Sequence, residues 1–174
     1  MKWLSVIVML AVLFPRGVIA APPQVTLSEP EQQMLKDAAL DLRDAIVSRN
    51  VEKLLSHISR SGLACTDAKY SFKEVSRDLR NRKSYLFLGL FNTTTFSKQC
   101  GSGYPPEFPA ISDKDFFTAD KTPTLEIVAY SQEQAQVIFK SHIKGHYQRD
   151  WWFKKEGEKW KLVDGFIVGD CTCG

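Results

Sequence analysis

The chain contains four cysteines, which could form disulfides, bind a metal ion or act as a redox pair. They are Cys65, Cys100 and a C-terminal pair, Cys171 and Cys173. An even number in an exported chain, which the N-terminus predicts below, favours two disulfides, and four cysteines allow three connectivities. A bond between Cys171 and Cys173 would close a small, strained and labile ring with redox character, and would leave Cys65 to join Cys100. The other two connectivities tie the tail to both remaining cysteines and are favoured, because each closes a long loop worth about 3–5 kcal/mol. A zinc site or free thiols fit less well, because structural zinc sites use paired cysteine knuckles and Cys65 and Cys100 each stand alone.

The segment YQRDWWFKKEGEKWKLVDGF, residues 147–166, predicts a β-hairpin that turns about Glu156 and Gly157. Opposed side chains of such a hairpin share one face, so a register is favoured when it makes that face apolar. The predicted turn makes one face apolar, because it places the following residues opposite each other: Phe153 and Trp160, Trp151 and Leu162, Tyr147 and Phe166.

The same register places Arg149 opposite Asp164, the single charged pair on an otherwise apolar face. A buried charge is costly without a partner, so a structural salt bridge in or beside the core is the favoured interpretation. The other interpretation is a polar pair at the floor of a ligand pocket, where Arg149 could hold a carboxylate or phosphate. The candidate pocket residues are therefore Arg149, Asp164, Tyr147, Trp151, Trp160 and Phe166.

Other types of active site find little support in the sequence. His142 and His146 lie on a predicted strand, where four residues span about 13 Å, too far for one metal ion. We find no Ser/His/Asp or Cys/His nucleophile arrangement and no glycine-rich phosphate loop. Trp151 and Trp152 must point to opposite faces of their strand, one into the core and one to the surface or a partner. We predict no metal and no cofactor.

Residues 1–20, MKWLSVIVMLAVLFPRGVIA, have the pattern of a secretory signal peptide cleaved near Ala20. The apolar run from Trp3 to Phe14 is too short to cross a hydrocarbon core of roughly 30 Å. We therefore expect export to the periplasm or the extracellular space and no membrane span in the mature chain. Without Lys2 and Arg16, 21 basic residues face 20 acidic ones, so the mature charge gives no reason to expect nucleic-acid binding.

After a flexible leader at 21–29, we expect one domain at 30–174, which begins with helices. Apolar residues recur at three- and four-residue steps over 30–48, which predicts a first helix. Asn50 can cap a short second helix, with Leu54, Leu55 and Ile58 inside. Ser71 and Glu74 form a capping box that opens a third helix to about Arg80, with Val75 and Leu79 inside.

Residues 84–91, SYLFLGLF, are apolar on every side and favour a buried helix over a strand. Glycines and prolines predict irregular structure over 97–123. Alternating residues then predict strands around Leu125–Ala129 and Val137–Ile143, before the final hairpin.

Helices followed by antiparallel strands give an α+β fold. Within this order of elements, residues 154–166, KKEGEKWKLVDGF, belong to the predicted closing hairpin. Their sequence resembles the Gly-x-x-Trp-x-Leu/Ile pattern in the closing hairpin of SnoaL-like domains, which belong to the nuclear transport factor 2-like superfamily. The resemblance covers residues 30–168 loosely and implies a cone in which N-terminal helices pack on a curved antiparallel sheet around a cavity. Residues 97–123 and the cysteines depart from the family pattern, and no catalytic residue of the family can be matched here.

These observations predict a disulfide-stapled, non-enzymatic exported domain that binds a small molecule or a protein in its cavity. The alternatives are an isomerase- or dehydratase-like pocket enzyme that uses Asp164 and Arg149, and an envelope inhibitor or immunity-type protein. A homodimer through the sheet is a further expectation.

The cysteine state has a direct test. Alkylation of the unreduced mature protein, followed by intact mass, should modify no cysteine, and reduction should expose all four. Four alkylated cysteines without reductant would contradict the disulfide prediction.

Overall fold

The computed structural model describes residues 25–65, 68–100, 124–140 and 149–165. The predicted signal peptide, Tyr147, Phe166 and the tail with Cys171 and Cys173 lie outside the described residues, as do most of the predicted irregular stretch and His142 and His146. The side chains of Cys65 and Cys100 are not described either, so the disulfide prediction stays a prediction.

Eleven helices and strands occupy the described residues. Two helices come first, then a small hairpin, three more helices and four strands. Their bounds are α1 Glu29–Val47, α2 Val51–His57, β1 Leu63–Cys65, β2 Ala68–Tyr70, α3 Phe72–Arg80, α4 Tyr85–Phe91, α5 Thr93–Cys100, β3 Thr124–Ala129, β4 Gln134–Lys140, β5 Arg149–Glu156 and β6 Lys159–Asp164.

Local capping chemistry starts the helices where the sequence predicts. The Asn50 side chain accepts a hydrogen bond from the Lys53 backbone N–H at 3.0 Å and begins α2. Ser71 and Glu74 form the full capping box at the start of α3. The predicted first, second and third helices are therefore confirmed, and so is the preference for a helix in the apolar stretch that forms α4.

The four long strands form one antiparallel sheet in the order β3-β4-β5-β6, and α1 lies against its inner face. Every second residue of β4, β5 and β6 points to that face, and helix residues at three- and four-residue steps meet them. The fully buried residues of this contact are Leu35, Ala39, Leu42, Ala45 and Ile46 from α1, and Ala135, Val137, Phe139, Trp151, Phe153, Trp160 and Leu162 from the sheet. Helices with an antiparallel sheet confirm the α+β class.

The chain between α2 and β1 extends the sheet beyond β6. Ile58 forms a parallel bridge with Leu162, and the Ser59 N–H donates to the Leu162 carbonyl at 2.9 Å. The short β1–β2 hairpin follows directly and lies beside β6. The sequence interpretation missed this hairpin, because strands of three residues show no usable alternation.

The final hairpin is confirmed, but its predicted register is wrong. The turn residues are Gly157 and Glu158, with Glu156 opposite Lys159 and Phe153 opposite Leu162. Gly157 has φ +61°, a conformation that favours glycine at the first turn position, and this moves the turn one residue along the chain. Opposed partners therefore shift by two residues, which keeps the predicted face buried.

A second correction concerns Asp164, which does not stand opposite Arg149. The register breaks after the pair Phe153–Leu162, so that Trp152 pairs with Asp164 and Val163 is the extra residue of a β-bulge. Arg149 pairs instead with Phe139 of the neighbouring strand β4.

Two further segments differ from the expected organisation. Residues 97–100 belong to α5, so the irregular stretch begins later than predicted. In the expected leader, Leu27 is buried and the Val25 N–H donates to the Ala129 carbonyl at 3.0 Å, which attaches these residues to β3.

No helix within the described ranges is long and apolar enough to cross a membrane.

The bulge ends at Gly165, whose φ of +86° disfavours any side chain. A Cβ at Gly165 would also overlap the Asp150 carbonyl oxygen, whereas a Cβ at Gly157 meets no atom within 4 Å. We predict that Gly165→Ala lowers the free energy of unfolding by about 2–4 kcal/mol and Gly157→Ala by about 1 kcal/mol, measured by urea titration. Equal losses in the two variants would contradict the close approach of Gly165 to β5.

Candidate functional site

The β-bulge decides which face of the sheet receives Asp164. With an unbroken register, Asp164 would stand opposite Trp151 on the buried inner face, where an unpaired carboxylate is very costly. The extra residue Val163 turns Asp164 to the outer face, opposite Trp152. Asp164 is half-buried there, and its Oδ1 accepts the Gly165 N–H at 2.6 Å.

A cleft of about 320 Å³ opens between this end of the outer face and the β1–β2 hairpin. One wall comes from β5 and β6, and the other from β1, β2 and the turn before them. Its lining is mostly apolar, with one acidic and one basic side chain, and consists of Ser61, Gly62, Ala64, Lys69, Trp152, Val163 and Asp164. The volume is at the lower end of the range of roughly 300–1,000 Å³ that small-molecule sites occupy.

Trp152 forms the aromatic part of the cleft wall and is held in place by its neighbours. Its ring stacks on Tyr130 with centroids 5.0 Å apart and an interplanar angle of 20°. The Tyr130 hydroxyl donates to Gln136 at 3.3 Å, and the Gln136 amide donates to Asp150 at 2.6 Å. A ring packed on one neighbour loses little further freedom when a ligand contacts it, which favours binding.

A buried polar network anchors the strand that carries Lys69. The adjacent Tyr70 hydroxyl donates to Asp78 Oδ2 at 2.5 Å, and Arg77 Nε donates to Asp78 Oδ1 at 2.7 Å. Burial opposes the charge of Asp78, but the hydrogen bonds from Arg77 and Tyr70 outweigh it and lower the pKa of Asp78. Burial and the bond to Asp78 raise the pKa of Tyr70 to about 12, so its hydroxyl stays a donor. The network joins β2 to α3.

A second polar network holds the turn that carries Ser61 and Gly62. Ser59 is fully buried, and its hydroxyl donates to Glu156 Oε1 at 2.5 Å. The Ser61 N–H donates to the Ser59 oxygen at 3.0 Å, and the Arg60 N–H donates to the other oxygen of Glu156 at 3.4 Å. Glu156 at the end of β5 therefore ties this cleft wall to the sheet.

Three of the six predicted pocket residues have side chains that the structure describes, and these three are not brought together. Among them, Asp164 lines the cleft. Trp151 and Trp160 are packed in the core, where Trp151 contacts Phe139 edge-on and Trp160 Nε1 donates to Glu31 Oε2 at 3.2 Å. The backbone of Arg149 pairs with Phe139, its side chain is not described, and Tyr147 and Phe166 lie outside the described residues.

Six of the seven residues that line the cleft were not among the candidates, and Trp152 and Lys69 are the two of these whose side chains could bind a ligand most directly. Trp152 was expected only to face away from Trp151, as a surface or partner contact, and it does lie on the opposite face. Lys69 carries no sequence signal, because its position depends on a hairpin formed by two three-residue strands. The Asp164-Gly165 dipeptide is a turn signal directly after an alternating strand and could have indicated the break in register.

Comparison of the chain with family models, with curated proteins and with solved structures finds no match. Within the part of the chain that the structure describes, no group of three or more His, Cys, Asp or Glu side chains is arranged to hold a metal ion.

The Asp78 network predicts a pH-dependent contribution to stability. Because the folded pKa of Asp78 is lowered, its contribution is present above the unfolded value near 4 and is lost as the pH falls through the folded value. At neutral pH, Asp78→Asn should lower the free energy of unfolding by about 1–3 kcal/mol, the effect of weakening hydrogen bonds to a charged, buried group. Urea titrations at pH 7 and pH 3 should show that this difference shrinks at the lower pH; a difference that stays constant would contradict the ionised network.

Proposed function

We propose that this protein is a non-enzymatic exported domain that binds a small ligand in the cleft between β6 and the β1–β2 hairpin. The observation that carries the proposal is the position of Trp152, a half-buried aromatic side chain in the wall of a concave site. Aromatic walls with a few placed polar groups are typical of small-molecule sites.

The construction of the walls supports binding. Tyr130 supports the Trp152 ring, Glu156 fixes the turn on the opposite wall, and Asp78 fixes β2 through Tyr70. A site whose walls are ordered before a ligand arrives loses less entropy on binding. Asp164 and Lys69 add one charge of each sign and could orient the ligand.

The nuclear transport factor 2-like family, a homodimer through the sheet, and export by a cleaved signal peptide remain parts of this proposal. The pattern of residues 154–166 and the helix-then-sheet order support the family, and the pattern of residues 1–20 supports export. No contact among the described residues bears on the homodimer. The proposed cleft differs from the cavity that the family resemblance implies, because it lies on the outer face of the sheet and the inner face is packed against α1.

The alternative of an enzyme that uses Asp164 with Arg149 was based on a register that places the two residues opposite each other. Asp164 pairs with Trp152 and Arg149 with Phe139, so the backbone does not bring the two residues opposite each other. The inhibitor or immunity-type alternative has no contact among the described residues that favours it.

A thermal-shift screen with a matched pair of variants tests the binding role. The screen uses amino acids, dipeptides, nucleosides, sugars, carboxylic acids and aromatic amines. We expect at least one compound to raise the melting temperature of the wild type and to lose this effect in Trp152→Ala, because the variant removes the aromatic wall.

Ile138→Ala is the control, because Ile138 is also half-buried on the outer face but does not line the cleft. It should keep the response of the wild type. A library without any stabilising compound, or compounds that stabilise Trp152→Ala as much as the wild type, would contradict the proposal.

A further inference from the structure

The cleft contains two charges of opposite sign that are not neutralised by a described neighbour. Lys69 on β2 and Asp164 on β6 line the cleft, and neither forms an ion pair with another described residue. The described ion pairs all lie elsewhere. Of the Asp164 carboxylate, Oδ1 is engaged by the Gly165 N–H, and no described donor engages Oδ2.

Neighbouring charges on the same face are either engaged by other residues or lie outside the cleft lining. Asp150 accepts a hydrogen bond from Gln136 at 2.6 Å, and the Lys161 ammonium donates to the Ser56 carbonyl. Lys154 is exposed and stands opposite Lys161, one residue pair away from the cleft lining. Among the residues that the structure describes, the charges available to a molecule inside the cleft are therefore those of Lys69 and Asp164.

The same cleft also has an apolar lining surface formed by Trp152, Val163 and Ala64. A ligand that matches this arrangement has a cationic group, an anionic group and an apolar body. A cation beside Asp164 would also lie near the Trp152 ring, whose face attracts cations. The Lys69 ammonium sits on a flexible four-carbon stem and can reach an anionic group from the other wall.

We propose that the cleft binds a small zwitterion with an apolar side chain, namely a free α-amino acid or a dipeptide. The ligand's ammonium pairs with Asp164, its carboxylate pairs with Lys69, and its side chain packs on Trp152 and Val163. The volume of about 320 Å³ fits one such molecule. This inference rests on the binding role proposed above and gives that role a ligand class.

Isothermal titration calorimetry with L-phenylalanine and glycyl-L-phenylalanine tests the inference on the full mature chain. N-acetyl-L-phenylalanine lacks the ammonium, and L-phenylalanine amide lacks the carboxylate. We expect at least one zwitterion to bind, and each blocked analogue of phenylalanine to bind about tenfold more weakly or not at all, because one charge-assisted contact is lost.

Charge-removing variants assign each contact. Asp164→Asn should bind the zwitterion about tenfold more weakly than the wild type does, and should bind the zwitterion and the N-acetyl analogue equally well. Lys69→Gln should also bind the zwitterion about tenfold more weakly, and should bind the zwitterion and the amide equally well. Glu126→Gln and Lys154→Gln are the controls on the same face of the sheet, because both residues are exposed and neither lines the cleft or contacts Trp152, and both variants should bind like the wild type. Circular dichroism of each variant checks that it is folded.

The possible results separate the two proposals. If neither zwitterion binds, or if the blocked analogues bind as tightly as phenylalanine, the zwitterion inference is wrong. The binding role of the cleft then stands only if another compound depends on Trp152 in the thermal-shift screen. If Asp164→Asn and the Glu126→Gln control lose affinity equally, the assignment of the ammonium to Asp164 is wrong.

Discussion

The outer face of the sheet depends on one constraint, which is that the carboxylate of Asp164 must not enter the core. The alternation that buries Trp160 and Leu162 in β6 would bury Asp164 next, opposite Trp151. Burial of an unpaired charge costs far more free energy than the loss of one pair of residues from the β-ladder. The strand therefore contains Val163 as the extra residue of a β-bulge. Gly165 then lets the chain approach β5 closely at a positive φ that other residues rarely adopt.

The two faces of the sheet consequently have separate roles. The inner face is packed against α1 with buried side chains, and this packing stabilises the fold. The outer face carries the stacked pair Tyr130 and Trp152, and the β1–β2 hairpin beside β6 converts its end into a cleft. Buried polar networks at Glu156 and Asp78 hold that hairpin, so polar interactions position the candidate site and apolar packing supports it.

The sequence was most informative where structure is decided by nearby residues. Asn50 and the Ser71–Glu74 pair cap their helices through contacts within three residues, so both helix starts were predictable. The buried face of the last hairpin was also predictable, because a shift of two residues leaves alternation unchanged. The position of the turn was not predictable, because Gly157 suits either of the two central positions of a turn. The bulge and the position of Lys69 depend on contacts between distant segments, and the local pattern of a sequence does not encode such contacts.

The most direct test of the account is the cross-strand partner of Trp152. Nuclear Overhauser contacts between backbone protons, measured on the isotopically labelled mature protein, report which residue of β6 stands opposite it. The account predicts contacts of Trp152 with Asp164, together with contacts of Phe153 with Leu162. Contacts of Trp152 with Val163 instead would show an unbroken register, which would place Asp164 on the inner face and contradict both the cleft and its proposed ligand.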